Sequence, residues 1–549
     1  MEVFLCDDPD TAANLITSKI NKILDEMAPV KVIQVRTHNA PWMSKDTKGN
    51  AKERDIAQKK AAESQTDEDW EAFKLLRNSV TSTLKLEKKS WQEQKLKSFG
   101  NDTSSVWKNV KNWLGWTSGG SPTMLVEDGT VYTKPSDLSR VMNEFFVNKV
   151  TNLRNNLPPN PGDPLILVQQ LMLSRNSFFK LNSMHPDQIL KIISDLKSTS
   201  SCGLDSIDSR VIKIAKHQLV PVITHVVNLS IMQRIFPCPW KTSKVVPLHK
   251  KDEVIYPKNY RPVSLLPVIS KILERAVFDQ MIFYLEDNHL LHPSHHGFRS
   301  KHSTVTALIE MHDQWIEAFE NYEVSAAVML DLSAAFDVVD HDILIQKLGI
   351  YGFGECSTSW LRSYLTGRTQ RVYVEGSLSA PLPLEAGVPQ GSILGPLLYV
   401  IFTNDLAEVV HGHHPVANDE DYPGEDQHQD QLHHQQGEEG VQDHEGEELY
   451  QHQPQPDQRP IPKVSPYYNL NCANCGSLSI FADDSTFTIS NKDTEQLRED
   501  IKAKYKVIAE YMGKNKLILN SDKTHILVMT SSRNHRLHGN YNITLDTGN

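Results

Sequence analysis

Three aspartates in this sequence stand beside short apolar segments, where carboxylates can be brought together for catalysis. Asp331 directly follows the apolar run Ser325–Leu330. Asp483 and Asp484 lie side by side between two short apolar stretches. Runs of this kind predict strands. We therefore predict that one strand delivers Asp331 at its C-terminal end, and that a turn between two further strands presents Asp483 and Asp484.

Neighbouring carboxylates repel each other and lose hydration, which costs several kcal/mol unless a cation or hydrogen-bond donors compensate. Carboxylate oxygens are ligands that suit Mg²⁺. Two such ions support phosphoryl transfer, because one lowers the pKa of the attacking hydroxyl and the other neutralises charge on the leaving pyrophosphate. Turns also favour Asp for ordinary backbone reasons. The Asp483–Asp484 pair alone is therefore compatible with a metal site and with an ordinary turn.

The elements that must position these aspartates belong to a compact domain that mixes strands and helices. From about His185 onward, apolar strands alternate with amphipathic helices such as Ile269–Leu285. Residues 40–118 instead predict helices, because aromatic and aliphatic residues recur at helical spacing. A solvated helical region with an aromatic core explains this stretch. A basic RNA-contacting surface is the alternative, built from Lys85, Lys88, Lys89, Lys95 and Lys97.

Composition excludes several classes of protein. The 549 residues are 39% hydrophobic and 23% charged, which is typical of a globular protein. The opening residues are acidic where a signal peptide is basic. The longest strongly apolar run, Ile393–Phe402, is too short to span a bilayer. Six cysteines in so long a chain are no disulfide framework and favour a reducing compartment.

The net charge of −11 is concentrated in one segment. Between His411 and Leu470, 13 Asp and Glu residues stand against Arg459 and Lys463, so the rest of the chain is neutral. The segment is rich in His and Gln and nearly lacks aliphatic residues, so it cannot bury enough apolar surface to offset chain entropy. We expect 411–470 to be a disordered acidic insert. Retained non-coding sequence is the alternative.

The flanking sequence of the aspartates forms part of an ordered series of motifs. These are Asn259–Leu266, Gly297–Arg299, Asp331–His341 (DLSAAFDVVDH), Gly387–Leu398 (GVPQGSILGPLL), Phe481–Asp484 (FADD) and Asn515–Asn520 (NKLILN). In this order they resemble the fingers motifs and motifs A, B, C and D of the reverse transcriptases of non-LTR (LINE-type) retrotransposons, those of the jockey type among them. The resemblance covers roughly residues 180–530.

The resemblance implies roles at the metal and sugar sites. Asp331 and Asp483 would be metal ligands, with Asp484 as the adjacent acid. The Leu332 carbonyl would be a further oxygen ligand. Phe336 would be a steric gate, because a bulky ring there blocks the 2′-hydroxyl that distinguishes a ribonucleotide. The alternative for Phe336 is a core aromatic residue on a helix.

The resemblance also implies contacts to the nucleotide. Gln390 would pack against the incoming base and the templating pair, whereas a plain loop is the alternative. Arg261 and Lys250 would meet the triphosphate from the fingers. Lys251 competes with Lys250 for this role. Lys523 would donate a proton to pyrophosphate, with a simple surface lysine as the alternative.

Two further patterns invite a metal interpretation. His341 lies between Asp340 and Asp342, but packing or capping at the helix after motif A explains it better. Cys472 and Cys475 form a lone CxxC without a second pair at zinc-finger spacing. We expect no designed metal site at either position.

The fold class implied by the resemblance is α+β, a right-hand polymerase fold with fingers at 180–320 and a palm at 321–530. The reverse transcriptase domain would span about 230–549, after a helical linker-like extension at 1–165. Only 25 residues follow Thr524, so we expect the family's helical thumb to be missing. The N-terminal part leaves no room for the family's endonuclease domain, so we expect that activity to be supplied elsewhere.

The function implied is RNA-directed DNA synthesis. Its cofactors would be two Mg²⁺ ions, with Mn²⁺ as a substitute, and its partners an RNA template, a DNA primer or target, and dNTPs. No membrane partner is expected. Family analogy favours the nucleus, with the cytoplasm as the alternative. The rival hypotheses are an inactive nucleic-acid-binding remnant and an RNA-dependent RNA polymerase, and Phe336 argues against the second.

Overall fold

The structure, a computed structural model, describes residues 2–29, 40–100, 102–114, 121–157, 162–172, 177–411 and 476–530. The helices of these residues are α1 (Pro9–Met27), α2 (Lys45–Ser64), α3 (Asp67–Ser98), α4 (Thr103–Trp113), α5 (Pro135–Asn155), α6 (Ile166–Met172), α7 (Pro186–Asp195), α8 (Ser209–Ile214), α9 (Lys216–Gln233), α10 (Val268–Asp287), α11 (Thr304–Glu320), α12 (His341–Ile350), α13 (Glu355–Leu365), α14 (Leu394–Thr403), α15 (Leu406–His411) and α16 (Thr494–Lys514). Within the described residues, no helix is both long and apolar enough to cross a bilayer.

Strands and helices are mixed, as the α+β prediction requires. The strands are β1 (Leu125–Glu127), β2 (Thr130–Tyr132), β3 (Thr242–His249), β4 (Tyr260–Leu265), β5 (Val324–Leu330), β6 (Arg368–Val374), β7 (Ser377–Leu378), β8 (Leu382–Leu384), β9 (Ser477–Phe481), β10 (Asp484–Asn491) and β11 (His525–Met529). The helices predicted in 40–118 are confirmed as α2, α3 and α4, and the predicted helix Ile269–Leu285 is α10.

The sheet that carries the aspartates has the strand order β11-β5-β10-β9, and all its pairs are antiparallel. β5 is central because its small and aliphatic residues are buried on both faces, with only Met329 exposed. The helices α11 and α16 pack against this sheet. The predicted strand before Asp331 and the predicted pair of strands around Asp483 are therefore confirmed.

A second sheet has the order β4-β3-β6-β7, with β8 also paired to β6. β3 runs parallel to β6, whereas β7 and β8 run antiparallel to it. The helix α5 packs on β6, β7 and β8 through a buried amide. Asn143 Nδ2 donates to Ser379 Oγ at 3.0 Å and to Ala380 O at 2.9 Å, and Gln370 Nε2 donates to Asn143 Oδ1 at 3.0 Å. These bonds fix α5 against the sheet.

The chain divides into two compact units. The larger consists of Met1–Lys19, Thr133–Pro247 and Pro262–Asn549, and it contains the three aspartates. The smaller consists of Ile20–Tyr132 and Leu248–Arg261. In the smaller unit α2 packs along α3, and the α3 residues Phe73 and Val80 are buried. The boundaries predicted at 165, 180 and 320 remain predictions.

Two sequence predictions fall on residues that the structure does not describe. The acidic insert predicted at 411–470 lies outside the described residues, apart from His411 at the end of α15. Cys472 and Cys475 also lie outside them.

Candidate active site

The three aspartates lie at one end of the β5–β10 pair. Leu330 pairs with Ser485, so continuing the register by one residue sets Asp331 opposite Asp484, with about 5 Å between Cα atoms. Asp483 lies in the two-residue turn between β9 and β10, since Phe481 pairs with Asp484. Asp484 is exposed, whereas Asp331 and Asp483 are partly buried. The structure therefore places all three carboxylates at one edge of the sheet.

Asp331 is held by the segment before β11. Its Oδ2 accepts from Asn520 Nδ2 at 2.9 Å and from Lys523 Nζ at 3.1 Å. Backbone hydrogen bonds join the same two segments: Asn520 N donates to Asp331 O, and Ser333 N donates to Ile518 O. Leu332 forms a bridge with Leu519, and its carbonyl takes no part in these two bonds. Lys523, which the resemblance predicts as a proton donor, is thus hydrogen-bonded to Asp331.

Phe336 lies in the turn that follows Asp331 and is not part of a helix. Its side chain is half-buried. Its ring stacks on Tyr399 of α14, with centroids 4.6 Å apart and planes 21° apart. Burial and the nearby charges of Asp483 and Asp484 raise the pKa of the Tyr399 hydroxyl, because ionisation there would add a third negative charge. The stacked pair therefore lies beside the aspartates.

Gln390 lies in the turn before α14 and is tied to the segment after Asp331. Its Nε2 donates to both carboxylate oxygens of Asp337, at 2.9 and 2.8 Å. Ser264 N donates to Gln390 O at 3.0 Å. Gly387 comes so close to Asp337 that a Cβ would lie 2.6 Å from its carbonyl oxygen, so only glycine fits there. The geometry thus brings motif A and the Gln390 turn into direct contact.

Comparison with known proteins agrees with this geometry. Residues 248–431 match the family model described as reverse transcriptase (RNA-dependent DNA polymerase). The match includes Asp331, Phe336 and Gln390 and ends before Asp483. Residues 248–431 therefore resemble a reverse transcriptase domain. A domain of this kind implies the polymerase fold and a divalent metal cation.

The relatives come from non-LTR mobile elements. Over 222 residues the chain is 35% identical to the probable RNA-directed DNA polymerase from transposon BS of Drosophila melanogaster, covering 40% of this chain and 24% of that protein. Over 414 residues it is 26% identical to the RNA-directed DNA polymerase from the mobile element jockey of Drosophila melanogaster, covering 74% and 44%. The probable enzyme from the X-element of that organism is 29% identical over 337 residues, covering 59% and 36%. The chain spans less than half the length of each relative.

Asp331, Asp483 and Asp484 fit a divalent cation by the chemistry of their side chains. All are oxygen ligands, and they lie on neighbouring strand ends. In the part of the chain that the structure describes, no group of three His, Cys, Asp or Glu side chains converges closely enough to hold an ion. Asp331 Oδ2 instead binds Lys523 and Asn520. An ion at Asp331 would therefore share that carboxylate with Lys523 and Asn520 or displace them.

His341 links two motifs of the reverse transcriptase domain. It is the first residue of α12, for which Asp340 is the N-cap, and its Nε2 lies 2.8 Å from Gly387 O. Burial lowers its pKa, which favours the neutral ring. The expected packing role for His341 is therefore observed.

Two predicted residues belong to the smaller unit. Lys250 N donates to Asn259 O at 2.8 Å, which fixes the backbone of the loop that carries it. Arg261 is an exposed residue of β4. Their assignment to the triphosphate stays a prediction.

Buried polar residues around the candidate site were not singled out from sequence. Glu274 of α10 caps α14: its Oε2 accepts from Ile393 N at 2.8 Å and from Leu394 N at 3.3 Å. Burial raises its pKa. Lys347 of α12 binds Asp405 at 2.7 Å in a fully buried pair. Glu274 and Lys347 each lie in a helix that also carries other polar residues, so nothing in the sequence marked either as buried.

Asp337 makes the stability of the domain depend on pH. Burial raises its pKa from 3.8 to about 6, against the opposing effects of Gln390 and Lys149. Between these values the folded state binds a proton that the unfolded chain has lost, so stability falls as the pH rises from about 4 to about 6. Asp337→Asn removes this titration but keeps an acceptor for Gln390. We expect the variant to gain stability relative to wild type as the pH rises through this range.

Thermal unfolding midpoints of wild type and Asp337→Asn, measured from about pH 4 to about pH 7, check this expectation. Other carboxyls with raised pKa values, including Glu274, are present in both proteins and cancel in the difference. Asp313→Asn, at an exposed site on α11, is the control. A difference that does not change with pH would contradict the role given to Asp337.

Proposed function

We propose that this chain catalyses RNA-directed DNA synthesis for a non-LTR retrotransposon. The observation that carries the proposal is the placement of Asp331, Asp483 and Asp484 at one sheet edge, beside Phe336 and the Gln390 turn. The chain's reverse transcriptase match and its relatives' names favour the same activity. The substrates would be an RNA template, a DNA primer or target, and dNTPs.

In the proposed reaction the primer 3′-oxygen bonds to the α-phosphorus of a dNTP, and the bond from that phosphorus to pyrophosphate breaks. Asp331, Asp483 and Asp484 would hold two Mg²⁺ ions, with the Leu332 carbonyl as a further ligand. Ions bound there would lower the pKa of the 3′-hydroxyl and neutralise charge on the pyrophosphate. Mn²⁺ would substitute, since its ligand preferences are similar.

The remaining residues would position and select the nucleotide. Phe336, held flat on Tyr399, would exclude the 2′-hydroxyl. Gln390, whose amide nitrogen faces Asp337, would offer its carbonyl edge to the incoming base and the templating pair. Lys523, beside Asp331, would protonate the pyrophosphate. Lys250 and Arg261 would bind the triphosphate, as the resemblance implies.

The finer architecture is part of the same proposal. We infer fingers at 180–320, a palm at 321–530 and a helical extension at 1–165. Packing of α11 and α16 on the antiparallel sheet supports the palm. The proposed site of action is the nucleus, with endonuclease activity supplied by another protein or segment.

Primer extension on poly(rA)/oligo(dT) with labelled dTTP and Mg²⁺ or Mn²⁺ tests the function. We expect extension that depends on the divalent ion, on the template and on dTTP rather than rUTP. Duplex binding without extension would favour the rival hypothesis of a nucleic-acid-binding remnant. Extension with rUTP in preference to dTTP would favour an RNA polymerase.

A further inference from the structure

The segment Gly297–Phe298 has no part in the site described so far, yet it rests directly on the catalytic turn. A Cβ added to Gly297 would lie 2.4 Å from Ala482 N, so no other residue allows this approach. Ala482 precedes Asp483 and has a φ of 61°, in the left-handed region. The backbone of Gly297 is therefore fitted to the turn that presents Asp483.

The chain before Gly297 is bound to β9 of the same sheet through a single β-bridge between His295 and Ile480. Ile480 N donates to Ser294 O, and His296 N donates to Ile480 O, both at 2.8 Å. Buried side chains hold it further, because His295 Nε2 lies 3.3 Å from Thr403 O and His296 Nε2 lies 2.9 Å from Glu310. Burial lowers the pKa of His295 to about 3, so its ring is neutral. The position of Phe298 is thus fixed by β9 and by two buried histidines.

Phe298 itself is in an unusual state for an aromatic residue. Its φ of 59° lies in the left-handed region, which is costly for a bulky side chain and is found where the surroundings enforce it. The residue is nevertheless 45% exposed. Burial of a large apolar surface therefore does not account for a strained phenylalanine at this position.

The contact of the ring gives a reason. Phe298 meets Phe336 edge to face, with centroids 6.2 Å apart and planes at 88°. Phe336 also stacks on the ring of Tyr399. Phe336 is thus held between one ring from α14 and one ring from the Gly297 turn, and Phe298 is the exposed member of the three.

We propose that Phe298 is a specificity-determining residue, which holds the Phe336 ring in place and forms the outer wall of the pocket for the nucleotide sugar. This inference rests on the proposed function, since it requires that Phe336 excludes the 2′-hydroxyl. An apolar wall rejects an added hydroxyl by about 10²-fold. That discrimination depends on the wall staying in position, and without Phe298 one side of Phe336 is open.

Phe298→Gly separates a selective role from a structural one. Glycine adopts a positive φ without strain, which offsets the loss of the partly buried ring, so the variant should fold. We expect the ratio of kcat/KM for dTTP to kcat/KM for rUTP to fall by about tenfold, because the gate can move aside. Phe298→Tyr keeps the ring and should keep the ratio.

Tyr322→Gly is the matched control and should also keep the ratio. Tyr322 is likewise an exposed aromatic residue, with a φ of 60°. It lies before the start of β5, at the opposite end of that strand from Asp331.

A double variant tests whether Phe298 acts through Phe336. In a Phe336→Ala background, Phe298→Gly should change the ratio no further, because the gate is already absent. The proposal is overturned if folded Phe298→Gly keeps the wild-type ratio, if it extends with neither nucleotide, or if the two substitutions act independently. Failure of wild type to extend with dTTP would instead refute the proposed function, and it would be seen before any variant is compared.

Discussion

Replacing Asp483 with Asn is expected to reduce primer extension by at least about 10³-fold, because the neutral amide cannot hold a divalent cation as the carboxylate would. A metal ion contributes several kcal/mol of charge stabilisation in the transition state, and each 1.36 kcal/mol corresponds to tenfold in rate. Asp483 lies in the turn between β9 and β10, opposite the end of β5 that carries Asp331. Asn is nearly the same size, so the turn should be preserved.

Single-turnover extension of oligo(dT) on poly(rA) measures this effect without interference from product release. Asp313→Asn is the matched control, because the same chemical change occurs on an exposed part of α11. Duplex affinity should remain close to that of wild type in both variants. If Asp483→Asn extended primers within about tenfold of wild type, the three aspartates would not be the catalytic centre.

The placement of the aspartates could be predicted from sequence because it depends on local pattern. The apolar run before Asp331 specifies a buried central strand, and the two short runs around Asp483 specify a hairpin. The helix after the Gln390 turn was also predictable, since a continuous apolar run follows Ile393. In each case neighbouring residues alone decide the conformation.

The support behind the site could not be predicted, because it depends on residues that are far apart in the sequence. Gln390 binds Asp337 across 53 positions, and Glu274 caps Ile393 across 119. A single sequence shows each of these as an isolated polar residue with no partner. The positive φ of Phe298 is equally invisible, and so is the close approach of its neighbour Gly297 to Ala482, which lies far away in the sequence.

Lys523 shows the intermediate case. Its position in motif D was predictable from the resemblance, but its contact with Asp331 was not. The contact forms because Asn520 binds both the backbone and the side chain of Asp331, which brings the following turn onto the carboxylate. The expected proton donor and the expected metal ligand are therefore paired in this structure.

The buried pair of Lys347 and Asp405 predicts the largest effect on stability. Both side chains are fully buried, and Lys347 Nζ donates to Asp405 Oδ1 at 2.7 Å and to Phe402 O at 2.8 Å. Tyr511 of α16 donates to the same carboxylate oxygen at 2.8 Å. The neighbouring Glu408 has a pKa raised to about 7 by burial and by the charge of Asp405. The lysine is thus the cation that compensates a buried acidic cluster.

Lys347→Met should therefore lower the free energy of unfolding by about 3–5 kcal/mol, because it leaves a buried carboxylate without its cation. Urea titration followed by circular dichroism measures the change. Lys347→Met combined with Asp405→Leu should recover most of the loss, since replacing both partners by apolar groups removes the unpaired charge.

Arg362→Met is the matched control. Its ion pair with Asp342 is short, at 2.6 Å, but both side chains are exposed, so we expect a loss of at most about 1 kcal/mol. Equal losses in Lys347→Met and Arg362→Met would show that burial of the Lys347 pair is energetically unimportant. A double variant no more stable than Lys347→Met would show that the lysine stabilises the domain through its packing rather than its charge.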